Sequence, residues 1–322
     1  GDIGIVAASG TGLQQVSCLV DQLGGGISQA IGTGGRDLNA KIGGLSMLKG
    51  IKRLANDDAT KVIVLVSKPP SPEIEKKVLT EAAACGKPVV VNFIGSETPS
   101  PGNTVYIADT LEQAAHMAMA LSKDDKPSTN PLPRHSFDNS NIKEICAALT
   151  DNQKYVRGLY SGGTFSYEAM LLLDQEIGPM NSSSPLNAEH KLNDIWTSTG
   201  NTIIDLGDDL FTRGRPHPMI DHRLRNDRII QEAKDPETAV ILLDIVIGYG
   251  SHDDPAGEMA SSITAAKEAA AKIGSTPIFV TFVCGTKRDP QNLSEQENKL
   301  RDAGAIVVES NAQAVRLTSD IL

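Results

Sequence analysis

The chain has 322 residues, of which 40% are hydrophobic and 22% charged, and its formal net charge is -10. This length favours two domains, each able to bury a core of its own. The acidic balance argues against a nucleic-acid backbone or an anionic membrane as the main partner, whereas a small anionic substrate needs only a few well-placed donors. The longest apolar runs, residues 62–66 and 239–247, are too short to span a bilayer.

The four cysteines lie far apart in the sequence and form no CxxC spacing: Cys18, Cys85, Cys146 and Cys284. A small secreted scaffold would be denser in cysteine, so we expect reduced thiols and a cytoplasmic protein. The chain opens at Gly1 without a methionine, already inside a predicted strand, and we expect further sequence upstream of it.

Strand and helix patterns alternate from the first residue onward. Residues 3–8 predict a buried strand, and a glycine-rich turn leads into a helix whose apolar face includes Leu13, Val16, Val20 and Leu23. Further strands are predicted at 27–31, 61–66, 87–93 and 103–107, with helices at 42–54, 73–84 and 111–121. Short apolar strands separated by helices are typical of a parallel sheet covered on both faces.

A proline-containing polar stretch then interrupts the pattern, which restarts near residue 156. The second half repeats the first, since residues 239–243 correspond to 61–66 and residues 276–280 correspond to 87–91. We therefore predict two tandem α/β domains with parallel sheets. Their predicted bounds are 1–122 for the first domain, 123–153 for a linker and 154–322 for the second domain, with an insertion at about 179–200.

A glycine-rich turn follows the first predicted strand of each half. Such turns lie at the carboxyl ends of parallel strands, where helix N-termini offer unpaired N–H groups and a partial positive charge. A simple helix cap explains either turn alone, but their recurrence in matched positions favours a phosphate or carboxylate ligand. The candidate binding residues are Ser9, Gly10, Thr11 and Gly12 in the first half and Ser161, Gly162, Gly163 and Thr164 in the second.

Residues 205–221 form the most unusual segment, because aspartates, two arginines and a histidine follow the second strand of the second half. These groups are suited to holding a divalent cation such as Mg²⁺, clamping an anion or moving protons. We take Asp208 and His217 as catalytic candidates, and Arg213 and Arg215 as cations for the substrate. The structural alternative is an internal salt-bridge network with helix capping by Asp221.

Two further loops complete the predicted site. Arg36 follows the second strand of the first half, in the position that corresponds to the arginine-containing loop of the second half. Gly248 and Gly250 precede a helix whose start is predicted by Asp254 as cap and Pro255 as first residue. Capping does not explain this pair of glycines, so we add them to the candidate anion-binding residues. The identity of any metal stays open.

The motifs resemble a known family. Residues 2–11, 31–37, 61–67 and 87–95 resemble the second domain of the succinyl-CoA synthetase α subunit. Residues 203–209, 239–250 and 279–289 resemble the C-terminal domain of its β subunit. Here the two domain types occur in one chain, together with Gly-Gly-Arg-Asp-Leu at 34–38 and the run 214–221. This combination is similar to the FdrA family of acyl-CoA-synthetase-like proteins.

The resemblance implies two flavodoxin-like domains that face each other around a phosphate or acyl-phosphate anion. It also implies CoA and a nucleotide as cofactors. The synthetase carries its phosphorylated histidine in a region that here reads 96–104 and contains none. We expect the CoA-binding domain to be absent as well, so that the enzyme needs a further domain or partner subunits in an oligomer.

Two alternatives stay open. Within the same family, the resemblance also implies a subunit of a carbamoyltransferase that acts on oxalurate or oxamate in allantoin catabolism, with carbamoyl phosphate as the anion. A different class of function is a non-catalytic module that senses an anion or serves as a scaffold for other subunits.

Overall fold

The computed structural model describes all 322 residues, which form two compact units, residues 1–132 and 133–322. Each unit contains one five-stranded parallel sheet. None of the helices has both the length and the apolar run that crossing a bilayer requires.

The first unit is a doubly wound α/β domain. Its strand order is β2-β1-β3-β4-β5, which is the order of flavodoxin-like domains. Its elements are β1 (Ile3–Ala7), α1 (Gly10–Gln22), β2 (Ile27–Gly32), α2 (Leu45–Ala55), β3 (Val62–Ser67), α3 (Pro72–Ala84), β4 (Val89–Phe93), β5 (Val105–Ile107) and α4 (Leu111–Ser122).

Burial explains why this unit is so easy to recognise in the sequence. All six residues of β3 are buried, as a strand covered by helices on both faces must be. Helix α2 buries Met47, Ile51 and Leu54, and their spacing of three and four residues puts them on one face against the sheet.

The second unit repeats this arrangement. Its strand order is β10-β9-β8-β6-β7, which is the order of the first unit read from the other edge. Its elements are α5 (Asn139–Cys146), β6 (Tyr155–Tyr160), α6 (Gly163–Ile177), β7 (Thr202–Asp205), α7 (Asp209–Thr212), α8 (Arg223–Ala233), β8 (Thr238–Val246), α9 (Pro255–Ala271), β9 (Ile278–Cys284), α10 (Leu293–Asp302), β10 (Ile306–Val308) and α11 (Asn311–Ile321). The predicted fold class, two tandem flavodoxin-like domains with parallel sheets, is confirmed.

The two polar stretches of the sequence have structure of their own. Residues 123–153, which we predicted as a linker, include α5, and Arg134 in this stretch forms ion pairs with Glu176 and Asp320 of the second unit. Residues 179–200 carry two isolated β-bridges and a short 3₁₀-helix, Ala188–His190.

Candidate functional site

In the first unit, the glycine-rich turn after β1 begins helix α1. The hydroxyl oxygen of Ser9 accepts a hydrogen bond from the Gly12 amide at 2.9 Å, so Ser9 is the N-cap of α1. A Cβ atom at Gly12 would lie 2.7 Å from Val66 Cγ1 of β3 and 2.6 Å from Ser9 Oγ. Gly12 is therefore required by the close packing of α1 on the sheet.

Gly10 and Thr11, which lie between Ser9 and Gly12, remain available to a ligand. The amides of Gly10 and Thr11 have no acceptor in the structure, and a Cβ atom at Gly10 would meet nothing within 4 Å. Arg36 is exposed on the turn after β2, while its neighbour Asp37 accepts from the amides of Ser46 and Met47 at the start of α2.

In the second unit, the corresponding turn is held by a different bond. Asp244 of β8 accepts from both the amide and the hydroxyl of Ser161, each at 2.8 Å. The Ser161 hydroxyl is therefore not capping the helix that follows. Helix α6 has Gly162 as its N-cap and no side-chain cap, and the amides of Gly162 and Gly163 have no acceptor in the structure.

Asp244 belongs to a buried ion pair. Its Oδ1 lies 2.7 Å from Arg225 Nη2, and the two side chains are 0% and 1% exposed. Arg225 also donates to the Leu159 carbonyl on β6 at 3.0 Å, so it bridges the ends of β6 and β8. Flavodoxin-like domains bind ligands at this reversal of strand order. Here a protein cation occupies it, and burial lowers the pKa of Arg225 while Asp244 opposes this shift.

Most carboxylates of the segment 205–221 have partners within the unit. Asp205 accepts from the Gly207 amide, and Asp208 caps α7 through the Leu210 amide at 2.9 Å. Asp221 pairs with Arg223, and these hydrogen bonds lower the pKa of Asp221 to about 2. The structural alternative thus accounts for much of this segment.

His217 lies beside the Ser161 turn. A Cβ atom at Gly207 would be 2.6 Å from both His217 Nε2 and the Ser161 carbonyl oxygen. His217 Nδ1 accepts from the Met219 amide at 3.3 Å, so the neutral ring carries its proton on Nε2. Burial lowers the pKa of His217 and favours this neutral form. The ring therefore offers a donor at Nε2, while its lone pair on Nδ1 accepts from the Met219 amide.

A cleft of about 420 Å³ opens between α7, the following loop and the start of α8. It is lined by apolar and charged side chains and by loop prolines: Leu206, Phe211, Gly214, Arg215, Pro216, Pro218, Asp221, Arg223, Leu224 and Asp227. Arg215 lies 5.9 Å from the Trp196 ring centroid, and Trp196 packs edge-on against Phe211. Arg213 is exposed and does not line the cleft.

The side chain of Gln291 holds the loop after β8 through hydrogen bonds. Gln291 accepts from the Gly248 amide and donates to the Gly248 carbonyl, and Gly248 has a φ of 139°. A Cβ atom at Gly250 would meet nothing within 4 Å. The predicted cap is confirmed, because Asp254 accepts from the Gly257 amide and Pro255 starts α9.

Two histidine rings meet beside this loop. His222 and His252 pack edge to face with ring centroids 5.3 Å apart. His222 is 5% exposed, and neither of its ring nitrogens has a hydrogen-bond partner. Burial, together with the charges of Arg225 and His252, lowers its pKa to about 4. No group of three or more His, Cys, Asp or Glu side chains is arranged to hold a metal ion.

The sequence reasoning missed Asp244 and Arg225. A signal for Asp244 was present, since it is the one charged residue in the apolar run 239–247, and a buried charge in a strand needs a partner. No local pattern pointed to Arg225, because its partner is 19 residues away on another element. The apolar lining of the cleft, Phe211 and Leu224, was also missed.

Comparison with protein families places the chain in a known class of proteins. The CoA-ligase family matches residues 159–321, which is just over half of the chain, and a CoA binding domain matches residues 1–95. The chain therefore belongs to the CoA-ligase family and is acyl-CoA-synthetase-like. The second match corrects our expectation that the chain lacks a CoA-binding domain, since the matched part contains β1 to β4 of the first unit.

One relative is the uncharacterized protein YahF of Escherichia coli (strain K12), which is 44% identical over 323 residues, covering 100% of this chain and 62% of YahF. Among solved structures, the apo form of the dinucleotide-forming acetyl-coenzyme A synthetase 1 of Ca. Korarchaeum cryptofilum is 15% identical with a TM-score of 0.37. PH0766 from Pyrococcus horikoshii OT3 is 14% identical with a TM-score of 0.33. Both matches cover 100% of this chain and 64% of the other. The chain thus spans less than two thirds of the length of each of these proteins.

Proposed function

We propose that this chain is part of an FdrA-type acyl-CoA synthetase that binds a phosphate or acyl-phosphate group at its glycine-rich helix N-termini. The observation that supports this most is the start of α6, where Gly162 and Gly163 present amides without acceptors. This helix lies within the part of the chain that matches the CoA-ligase family.

The chemistry of the helix end suits an anion. Unpaired amides and the partial positive charge of a helix N-terminus together stabilise phosphate. Because Asp244 holds both the amide and the hydroxyl of Ser161, the turn is fixed before a ligand arrives, which lowers the entropy cost of binding. Gly10 and Thr11 offer a similar pair of amides in the first unit.

His217 is the candidate for proton transfer in this proposal. It lies next to the Ser161 turn and carries its proton on Nε2, so it would donate to a phosphate oxygen. Asp208 is a weaker candidate, because its carboxylate caps α7. Arg36 and Arg213 are exposed cations that would balance the charge of the substrate.

CoA is the acyl acceptor that the two family matches favour. Since the chain spans 62% of YahF, we assign the complete ligation, with any nucleotide it uses, to a longer protein or to an assembly with partner subunits. A carbamoyltransferase would use the same amides for carbamoyl phosphate, but no observation favours it over CoA ligation.

The test is to remove one amide without disturbing the helix. Gly163 is the first residue of α6 and follows an extended residue, Gly162, with φ -113° and ψ 113°. Proline is tolerated at such a position and lacks the N–H. We expect Gly163→Pro to weaken acetyl phosphate binding roughly tenfold or more, since a hydrogen bond to a charged group contributes about 1.5–3 kcal/mol.

Gly163→Ala is the matched control, because alanine keeps the amide. Binding is measured by calorimetry or by ³¹P NMR titration with acetyl phosphate and with inorganic phosphate. Equal affinities of the proline and alanine variants would remove the α6 N-terminus from the site. Gly10→Pro and Gly10→Ala give the same comparison for the first unit.

A further inference from the structure

The charged groups around the cleft of the second unit are not all neutralised by each other. Arg223 Nε lies 3.0 Å from both carboxylate oxygens of Asp221, so these two side chains form a closed pair. Arg215 and Asp227 also line the cleft, and neither forms an ion pair within the structure. One cation and one carboxylate therefore remain for a ligand.

The rest of the lining is apolar and rigid. Leu206 and Phe211 are 1% and 2% exposed and belong to the hydrophobic core of the unit, and Leu224 packs against that core. Pro216 and Pro218 restrict the backbone of the loop. A volume of about 420 Å³ is at the lower end of the range of small-molecule sites and is too small to enclose a whole CoA molecule.

We propose that this cleft binds a small aliphatic zwitterion, an amino acid whose carboxylate pairs with Arg215 and whose ammonium group pairs with Asp227. The aliphatic part packs on Leu224 and Pro216, which keep exposed surface at the cleft. A simple carboxylic acid would leave Asp227 without a counter-ion, and inorganic phosphate would leave the apolar lining uncovered. This inference does not rest on the phosphate site, because the cleft contains none of the helix-terminal glycines of α1 or α6.

The experiment compares ligands that differ by one charge. Amino acids with two to five carbons, with the amine at either end of the chain, are titrated by calorimetry against the carboxylic acid and the amine of the same length. The distance between the carboxylate and the amine of the tightest ligand then reports the distance between Arg215 and Asp227. We expect the best amino acid to bind at least threefold more tightly than either matched single-charge compound.

Three variants connect this preference to the cleft. Arg215→Gln should abolish the advantage over the amine, and Asp227→Asn should abolish the advantage over the carboxylic acid. Lys234→Gln, at the exposed C-terminal end of α8 and outside the cleft, should change neither. The proposal is overturned if acids bind as tightly as amino acids, or if the preference survives in both cleft variants.

Discussion

The two units use equivalent serines in opposite ways. In the first unit the ladder pairs Ala7 of β1 with Val66 of β3, and in the second it pairs Leu159 of β6 with Leu243 of β8. Ser9 lies two residues after Ala7, and Ser161 lies two residues after Leu159. The two serines therefore occupy equivalent positions in the two units. Ser9 caps its helix, whereas Ser161 is bound to Asp244.

The difference comes from the neighbouring strand. The residue that follows Val66 is Ser67, and the residue that follows Leu243 is Asp244. A buried carboxylate requires a cation, which Arg225 supplies. The Asp244 carboxylate also binds the Ser161 turn, and the amides at the start of α6 remain available to a ligand. One charged residue on the neighbouring strand thus decides whether the serine hydroxyl caps the helix or binds the strand.

The largest expected effect is the loss of the buried cation. Arg225→Met leaves Asp244 buried without a counter-charge, and we expect it to destabilise the second unit by about 3–5 kcal/mol. The control is Arg223→Gln, two residues away on an exposed pair with Asp221, which should change stability little because solvent screens the pair. Urea unfolding is followed by the fluorescence of Trp196, the single tryptophan of the chain, which reports on the second unit.

A second variant keeps this prediction open to refutation. Arg225→Met combined with Asp244→Leu removes both charges and should recover a large part of the lost stability. If the double variant is less stable than Arg225→Met alone, packing and not charge controls this position.

An intermediate loss of stability is expected on acidification, through His222 of the second unit. His222 has its pKa lowered to about 4, against about 6.5 in an unfolded chain. The unfolded state therefore binds more protons between these values, so stability is complete above pH 6.5 and falls as the pH is lowered toward 4, by about 3 kcal/mol at most. The first unit holds only His116, which is exposed.

His222→Asn isolates this contribution. Other groups titrate in the same range, so the quantity to measure is the difference between the two proteins in urea unfolding free energy, from pH 7 to pH 4, by Trp196 fluorescence. The difference should shrink as the pH falls. A difference that is independent of pH would mean that the pKa of His222 is the same in the folded and the unfolded chain.

The smallest effect concerns the glycines of the first unit. Gly12→Ala places a Cβ atom 2.7 Å from Val66 Cγ1, and we expect it to cost about 1–3 kcal/mol through overpacking. Gly10→Ala enters open space and should be neutral or slightly stabilising, since alanine favours a helix. The stability changes of both variants are measured by hydrogen exchange of the β1 and β3 amides. Equal protection in the two variants would show that α1 shifts to accept the larger residue.

Much of the fold could be predicted because it rests on local patterns. The strand Val62–Ser67 contains a continuous apolar run at residues 62–66, and α9 begins with an aspartate cap followed by proline, so each could be identified in its own stretch of sequence. The helix Asn139–Cys146 was missed, because it lies in a polar stretch with three nearby prolines and buries none of its residues.

Hydrophobic period, apolar runs and capping residues act over a few neighbouring positions, so the duplicated parallel sheets and the positions of the glycine-rich turns could be predicted from the sequence. What these turns do depends on the packing around them. Ser9 and Ser161 carry the same local signal, and what separates them is a carboxylate on the adjacent strand together with an arginine on a distant helix. Such partners are chosen by how the strands and helices pack, which no short stretch of sequence encodes.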